Sequence, residues 1–68
     1  MDRKKLIRRI RTLGRKKGIN VDWVPRRGKG GHGTVYYGNK KTVLAKREFS
    51  NALVRKICTQ LGIDPKDL

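Results

Sequence analysis

The apolar positions of this chain form two helical stripes separated by a stretch of alternation. Over residues 2–17, Leu6, Ile10 and Leu13 recur at i, i+4 and i+7, Ile7 widens the stripe, and nearly every other position is Arg or Lys. That spacing predicts an amphipathic helix with one apolar face. Asp2 is placed to cap the first turn through its carboxylate. Lys16 and Lys17 ahead of Gly18 form the stop: cations on the last turn, then a residue able to take the left-handed cap. Gly14 weakens the helix by about 1 kcal/mol relative to Ala and offers an earlier place for it to end.

Residues 19–26 alternate and carry β-branched and aromatic side chains, which predicts a strand with Ile19, Val21 and Trp23 on one face. Pro25 suits a strand end or a sheet edge. Arg27 to Gly31 reads as a loop, His32 to Tyr37 as a second strand and Lys41 to Lys46 as a third. Gly38-Asn39 between them is a two-residue hairpin signal. In that register His32, Thr34 and Tyr36 share a face with Lys41, Val43 and Ala45, while Val35, Tyr37 and Leu44 share the other. Neither face is cleanly apolar, so the pattern leaves the core side open. From about Ser50, Val54, Ile57, Cys58 and Leu61 recur at helical spacing, with Gly62 as cap, Ile63 folding back and Asp64-Pro65 as the stop. Phe49 is a core anchor just ahead of that helix. The order predicts one α+β domain over residues 1–68, a three-stranded antiparallel sheet with both helices on one face.

Composition narrows the function. Nineteen Lys and Arg against five Asp and Glu give a formal charge of +14 in 68 residues. Residues 1–17 hold nine cations against one acid, residues 18–47 seven against one, and residues 48–68 three against three. The first two-thirds of the chain therefore faces an anion, and phosphate backbones suit so basic a domain because each neutralised phosphate releases counterions. An anionic membrane or an acidic protein are the other anions to weigh. A chain this short buries only about 60% of its unfolded surface, so it holds one small core. No apolar run approaches the roughly 20 residues that span a membrane, and no apolar stretch follows the charged N-terminus, so the expected setting is intracellular. The solitary Cys58 excludes a disulfide framework and, with no cluster of other ligands, a structural zinc site; it reads as core. Trp23 also reads as a core anchor, with base stacking as the alternative.

Gly28-Lys29-Gly30-Gly31-His32-Gly33 matches G-x-G-x-x-G as written. A dinucleotide site needs a helix after the glycines, and a strand follows here. A kinase phosphate-covering loop has the right strand–loop–strand setting, but 68 residues cannot hold the rest of a kinase. The loop does offer backbone amides that can approach a phosphate closely, with Arg26, Arg27 and Lys29 beside them. His32, the one histidine, is flanked by glycines that leave its ring accessible. A neutral imidazole accepts a proton. RNA carries its own nucleophile, the 2′-hydroxyl, so a base and cations around the phosphate suffice for strand cleavage without a metal. An ordinary surface histidine is the competing reading.

The basic first helix, the run Arg27-Gly28-Lys29-Gly30-Gly31-His32-Gly33-Thr34-Val35-Tyr36-Tyr37-Gly38, the Lys41-Thr42-Val43 strand and the closing Gln60-Leu61-Gly62-Ile63 together resemble the HicA toxins of bacterial toxin–antitoxin modules. The resemblance runs over nearly the whole chain, and its most specific piece is the glycine-rich run entering a strand of Thr, Val and Tyr. It implies a double-stranded-RNA-binding-like α-β-β-β-α fold, an mRNA interferase activity without cofactor or metal, a cytoplasmic bacterial or archaeal setting, and neutralisation by an acidic HicB-type antitoxin. It implies His32 as the catalytic residue, and the chemistry of the loop and strand sets Arg26, Arg27, Lys29, Gly30, Gly31, Gly33 and Tyr36 as the expected substrate contacts. The family histidine follows a Gly-Ser pair, whereas Gly31 stands in the serine's place here. Tyr36, Lys29 or a water can serve as the acid for the leaving group. A non-catalytic RNA-binding module of the same fold is the alternative.

Overall fold

The computed structural model describes residues 1–26 and 31–68. Helix α1 (Arg3–Lys17) is followed by strands β1 (Val21–Pro25), β2 (Gly33–Tyr37) and β3 (Lys40–Leu44), helix α2 (Asn51–Leu61) and a closing 3₁₀ turn, Pro65–Asp67. The order is α-β-β-β-α, as the sequence pattern predicts, and the 3₁₀ turn is an addition to it. Both helices begin and end where their capping chemistry dictates. Asp2 accepts from the Lys5 amide at 2.8 Å and Ser50 from the Leu53 amide at 3.2 Å. Gly18 and Gly62 take left-handed conformations, with φ 68° and 71°, and close the last turns.

Gly14 does not end α1. A Cβ there would lie 2.4 Å from the Val21 side chain and 2.9 Å from the Ile19 carbonyl, so the missing side chain lets β1 pack directly on the helix. The intrinsic penalty for glycine is offset by that close approach.

The strands form an antiparallel meander in the order β1-β2-β3. Val35 pairs with Trp23 and Thr42, and Tyr37 with Val21 and Lys40, so Gly38-Asn39 is the two-residue turn between β2 and β3. The register settles the face that the pattern leaves open. Val35, Tyr37, Thr42 and Leu44 are buried under the helices, and Val24, Tyr36 and Val43 stand exposed on the other side. The strands are shorter than their sequence spans. Ile19 and Asn20 precede β1, and His32 lies one residue outside β2. Because β2 starts at Gly33, opposite Leu44, Ala45 and Lys46 have no strand residue to pair with and β3 ends at Leu44.

Leu6, Ile10, Leu13, Val35, Leu44, Phe49, Ile57, Cys58, Leu61 and Ile63 make one contiguous core between the helices and the sheet. Val54, expected in the α2 stripe, is only partly buried at its edge. Phe49 is fixed by two backbone bonds with Met1, its amide donating at 2.7 Å and its carbonyl accepting at 2.9 Å. Thr42 is the buried polar residue of the sheet, and its hydroxyl is satisfied by Gln60 on α2. No helix is long and apolar enough to cross a membrane among the described residues.

Candidate functional site

The site is assembled where β1 hands over to β2. The Arg26 amide donates to the His32 carbonyl at 2.8 Å, which extends the β1–β2 ladder one step beyond the strands and fixes the backbone of His32 at its end. His32 itself is exposed. The residues on either side of it are held from below.

Gly31 has φ 63°, a left-handed conformation that a side chain rarely adopts. Its carbonyl accepts from the Arg3 guanidinium at the start of α1. A Cβ at Gly31 would also sit 3.3 Å from the Lys46 side chain. The serine of the resembling family would therefore be strained here, which gives a physical reason for glycine at this position. Gly33 is buried against the indole of Trp23, where a Cβ would fall 2.4 Å from the ring edge. The Arg3 guanidinium lies over that same indole, 4.9 Å from its centroid. Arg3 and Trp23 thus stack on each other and brace both glycines that flank His32.

Trp23 is half-buried rather than a full core residue. One side of it packs against the core cluster and the other carries the loop. Neither Arg3 nor Lys46 was legible as a site residue. Each is brought to Gly31 by the fold across a long stretch of chain, with no local motif to mark it.

A groove of about 440 Å³ opens beside this loop, lined by Asp2, Arg3, Lys4, Lys46 and Arg47. Its one acid is engaged as the α1 cap, and the other four lining residues are cations, of which Arg3 is already turned to Gly31 and Trp23. The expected phosphate contacts at Arg27, Lys29 and Gly30 lie outside the described residues. Of the remaining expected residues, Arg26, Gly31, His32 and Gly33 come together at the loop. Tyr36 does not join them. It shares the outward face with His32 and is 38% exposed. Four residues of strand, however, separate the two by about 13 Å. Its neighbours across the sheet are Asp22 and Lys41.

Cys58 is fully buried among core side chains. Burial, helped by the negative charge of Asp64, pushes its thiol above the ordinary value of 9.0. A thiol that keeps its proton is a poor nucleophile. Among the described residues no three of His, Cys, Asp and Glu gather as a metal site. The arrangement can therefore present one accessible imidazole on a braced backbone, with fixed positive charge alongside. No family model, no curated protein and no solved structure matches the chain, so the likeness to the HicA toxins rests on the residues themselves.

Proposed function

We propose that this protein is an endoribonuclease of the HicA toxin type, in which His32 is the general base. The observation that carries the reading is the exposed His32 between two braced glycines, one of which, Gly31, meets Arg3 and Lys46 of the cationic groove. An imidazole nitrogen of His32 takes the proton from an RNA 2′-hydroxyl. The 2′-oxygen then attacks the adjacent phosphorus, and the bond from phosphorus to the 5′-oxygen breaks. The products are a 2′,3′-cyclic phosphate and a 5′-hydroxyl, whose proton comes from water or from a donor such as Lys29. Negative charge accumulates on the phosphoryl oxygens as this happens. Arg3, Lys46 and Arg47 supply positive charge to stabilise it, and Arg27 and Lys29 of the glycine-rich motif add to that charge. RNA brings the nucleophile, so the reaction requires no metal or cofactor.

The substrate is mRNA in the cytoplasm, and cleavage halts translation. An acidic HicB-type antitoxin silences the enzyme by covering the same basic ground. The charge of +14 also supports a second reading, a non-catalytic RNA-binding module of this fold. The two readings separate in one assay. Purified protein is incubated with a short RNA in EDTA, alongside the same RNA carrying a 2′-deoxy sugar at the cleaved position. The nuclease reading predicts fragments ending in cyclic phosphate from the first RNA and none from the second. Full-length RNA surviving for hours in both tubes leaves only the binding module.

A further inference from the structure

The helices cover one side of the sheet and leave the other open. Its outward residues fall in three rows across the strands. Arg26 and His32 make the first, one step beyond the ends of β1 and β2. Val24, Thr34 and Val43 make the second, and Asp22, Tyr36 and Lys41 the third. Successive rows lie about 7 Å apart along β2, so one face runs from His32 through Thr34 to Tyr36. The cleavage chemistry uses only the first row.

The other two rows carry their own chemistry. Among the described residues, the large apolar side chains left exposed are Val24, Tyr36 and Val43, and all three stand on this face. Beside them a groove of about 520 Å³ opens at the β3 edge, lined by Thr34, Lys41, Thr42, Val43 and Gln60. The Thr42 hydroxyl is bonded to Gln60, which ties the groove to α2. Charge is graded across the third row. Asp22, the one acid of the three strands, stands on β1, and Lys41 stands on β3. An anionic chain is thereby turned away from β1 and toward β3, the side on which the groove lies.

We infer that the open face of the sheet is a track for single-stranded RNA, along which one base stacks on Tyr36 while Lys41 holds a phosphate beside it. The track rests on the proposed ribonuclease reading for its start at His32. An exposed aromatic ring on a sheet is a platform for unpaired bases, and stacking tolerates any base because each has a π-face. A duplex keeps its bases stacked inside and has none to offer Tyr36. A second copy would bring one chain of charge +14 against another. An acidic protein needs an apolar centre to its interface, and Thr34 divides Val24 from Val43 here. Tyr36 is thus a positioning contact for the strand, with no part in proton transfer at His32.

The test measures binding with His32→Ala protein throughout, so that its outcome is separate from whether His32 cleaves RNA. The probes are oligoadenylate of about eight nucleotides, a ribose–phosphate chain of the same length without bases, and an RNA duplex. Tyr36→Thr removes the ring and keeps a good strand former at an exposed position, and circular dichroism checks its fold. It should weaken oligoadenylate binding by about 5- to 150-fold, and binding of the base-free chain and the duplex by less than about 2-fold. Tyr36→Phe, which keeps the ring, should bind all three as the parent does. Independently, Lys41→Gln should flatten the salt slope for oligoadenylate by about 0.7, with Arg55→Gln on α2 as the charge-matched control that leaves it unchanged. Equal losses on oligoadenylate and the base-free chain, or no loss on either, would overturn the proposal. So would sedimentation showing that the parent is a dimer and Tyr36→Thr a monomer, since a second copy would then own the face.

Discussion

The two helices do the same structural work with different outer faces. Each is capped by a short polar side chain at one end and a left-handed glycine at the other, and each presents an aliphatic stripe to the same core. The outward side of α2 mixes Arg55 and Lys56 with Thr59 and Gln60, whereas α1 carries nine Lys and Arg over its fifteen residues and no acid. Since α2 folds onto the sheet without such charge, most of the charge on α1 is not required by the core. It opposes the helix dipole at the first turn, which costs a few tenths of a kcal/mol per residue, and it repels itself along the helix.

If burial alone docks the helices, the largest effects should be equal on both sides. Leu6→Ala in α1 and Leu61→Ala in α2 each empty a fully enclosed position, and each should lower unfolding stability by about 2–5 kcal/mol in urea titrations. A loss confined to α1 would break the equivalence. Gly33→Ala tests the brace under the loop. The methyl would press into the Trp23 indole, and overpacking of that kind costs about 1–3 kcal/mol. A blue- or red-shifted Trp23 emission should accompany it, because the ring must move. Asp2→Ala and Ser50→Ala each remove one cap and should cost about 1 kcal/mol.

Smallest is the charge effect itself. Lys4→Gln and Lys5→Gln should each stabilise the fold by about 0.3–1 kcal/mol at low salt, an advantage that fades as salt screens the dipole. Arg55→Gln in the middle of α2 should change little. The buried Cys58 adds a pH signature to α2. Its raised thiol pKa gives stability that is fully present below the ordinary value of 9.0 and is lost as the pH rises through the folded value. Alkylation should accordingly be slow until the protein is unfolded, and fast labelling of native protein would contradict the burial.

The sequence alone supports the helices closely, because caps and stripes are local. Asp2, Gly18, Ser50 and Gly62 mark ends that depend only on neighbouring residues. The sheet was less legible. Thr42 and Lys41, or Val35 and Tyr36, can each face inward by pattern, and only the register together with the docked helices puts Thr42 and Val35 inside. Gly14 reads as a weak point until β1 is laid against it. At the candidate site, the glycine run and His32 were visible as a motif. The brace was not, because Arg3 is 28 residues from Gly31 and no period links them. Trp23 lies on the core side by alternation, and nothing in that pattern says it must carry a loop as well.

In the proposed function, capture falls to the cations and cleavage to one imidazole. Single-turnover assays of parent and His32→Ala protein on the same RNA in EDTA, with affinity measured in parallel, test that division most directly. The account predicts that His32→Ala binds as the parent does, with the same salt slope, and cleaves about 100- to 10,000-fold more slowly. Cleavage by the variant at the parent's rate would contradict it.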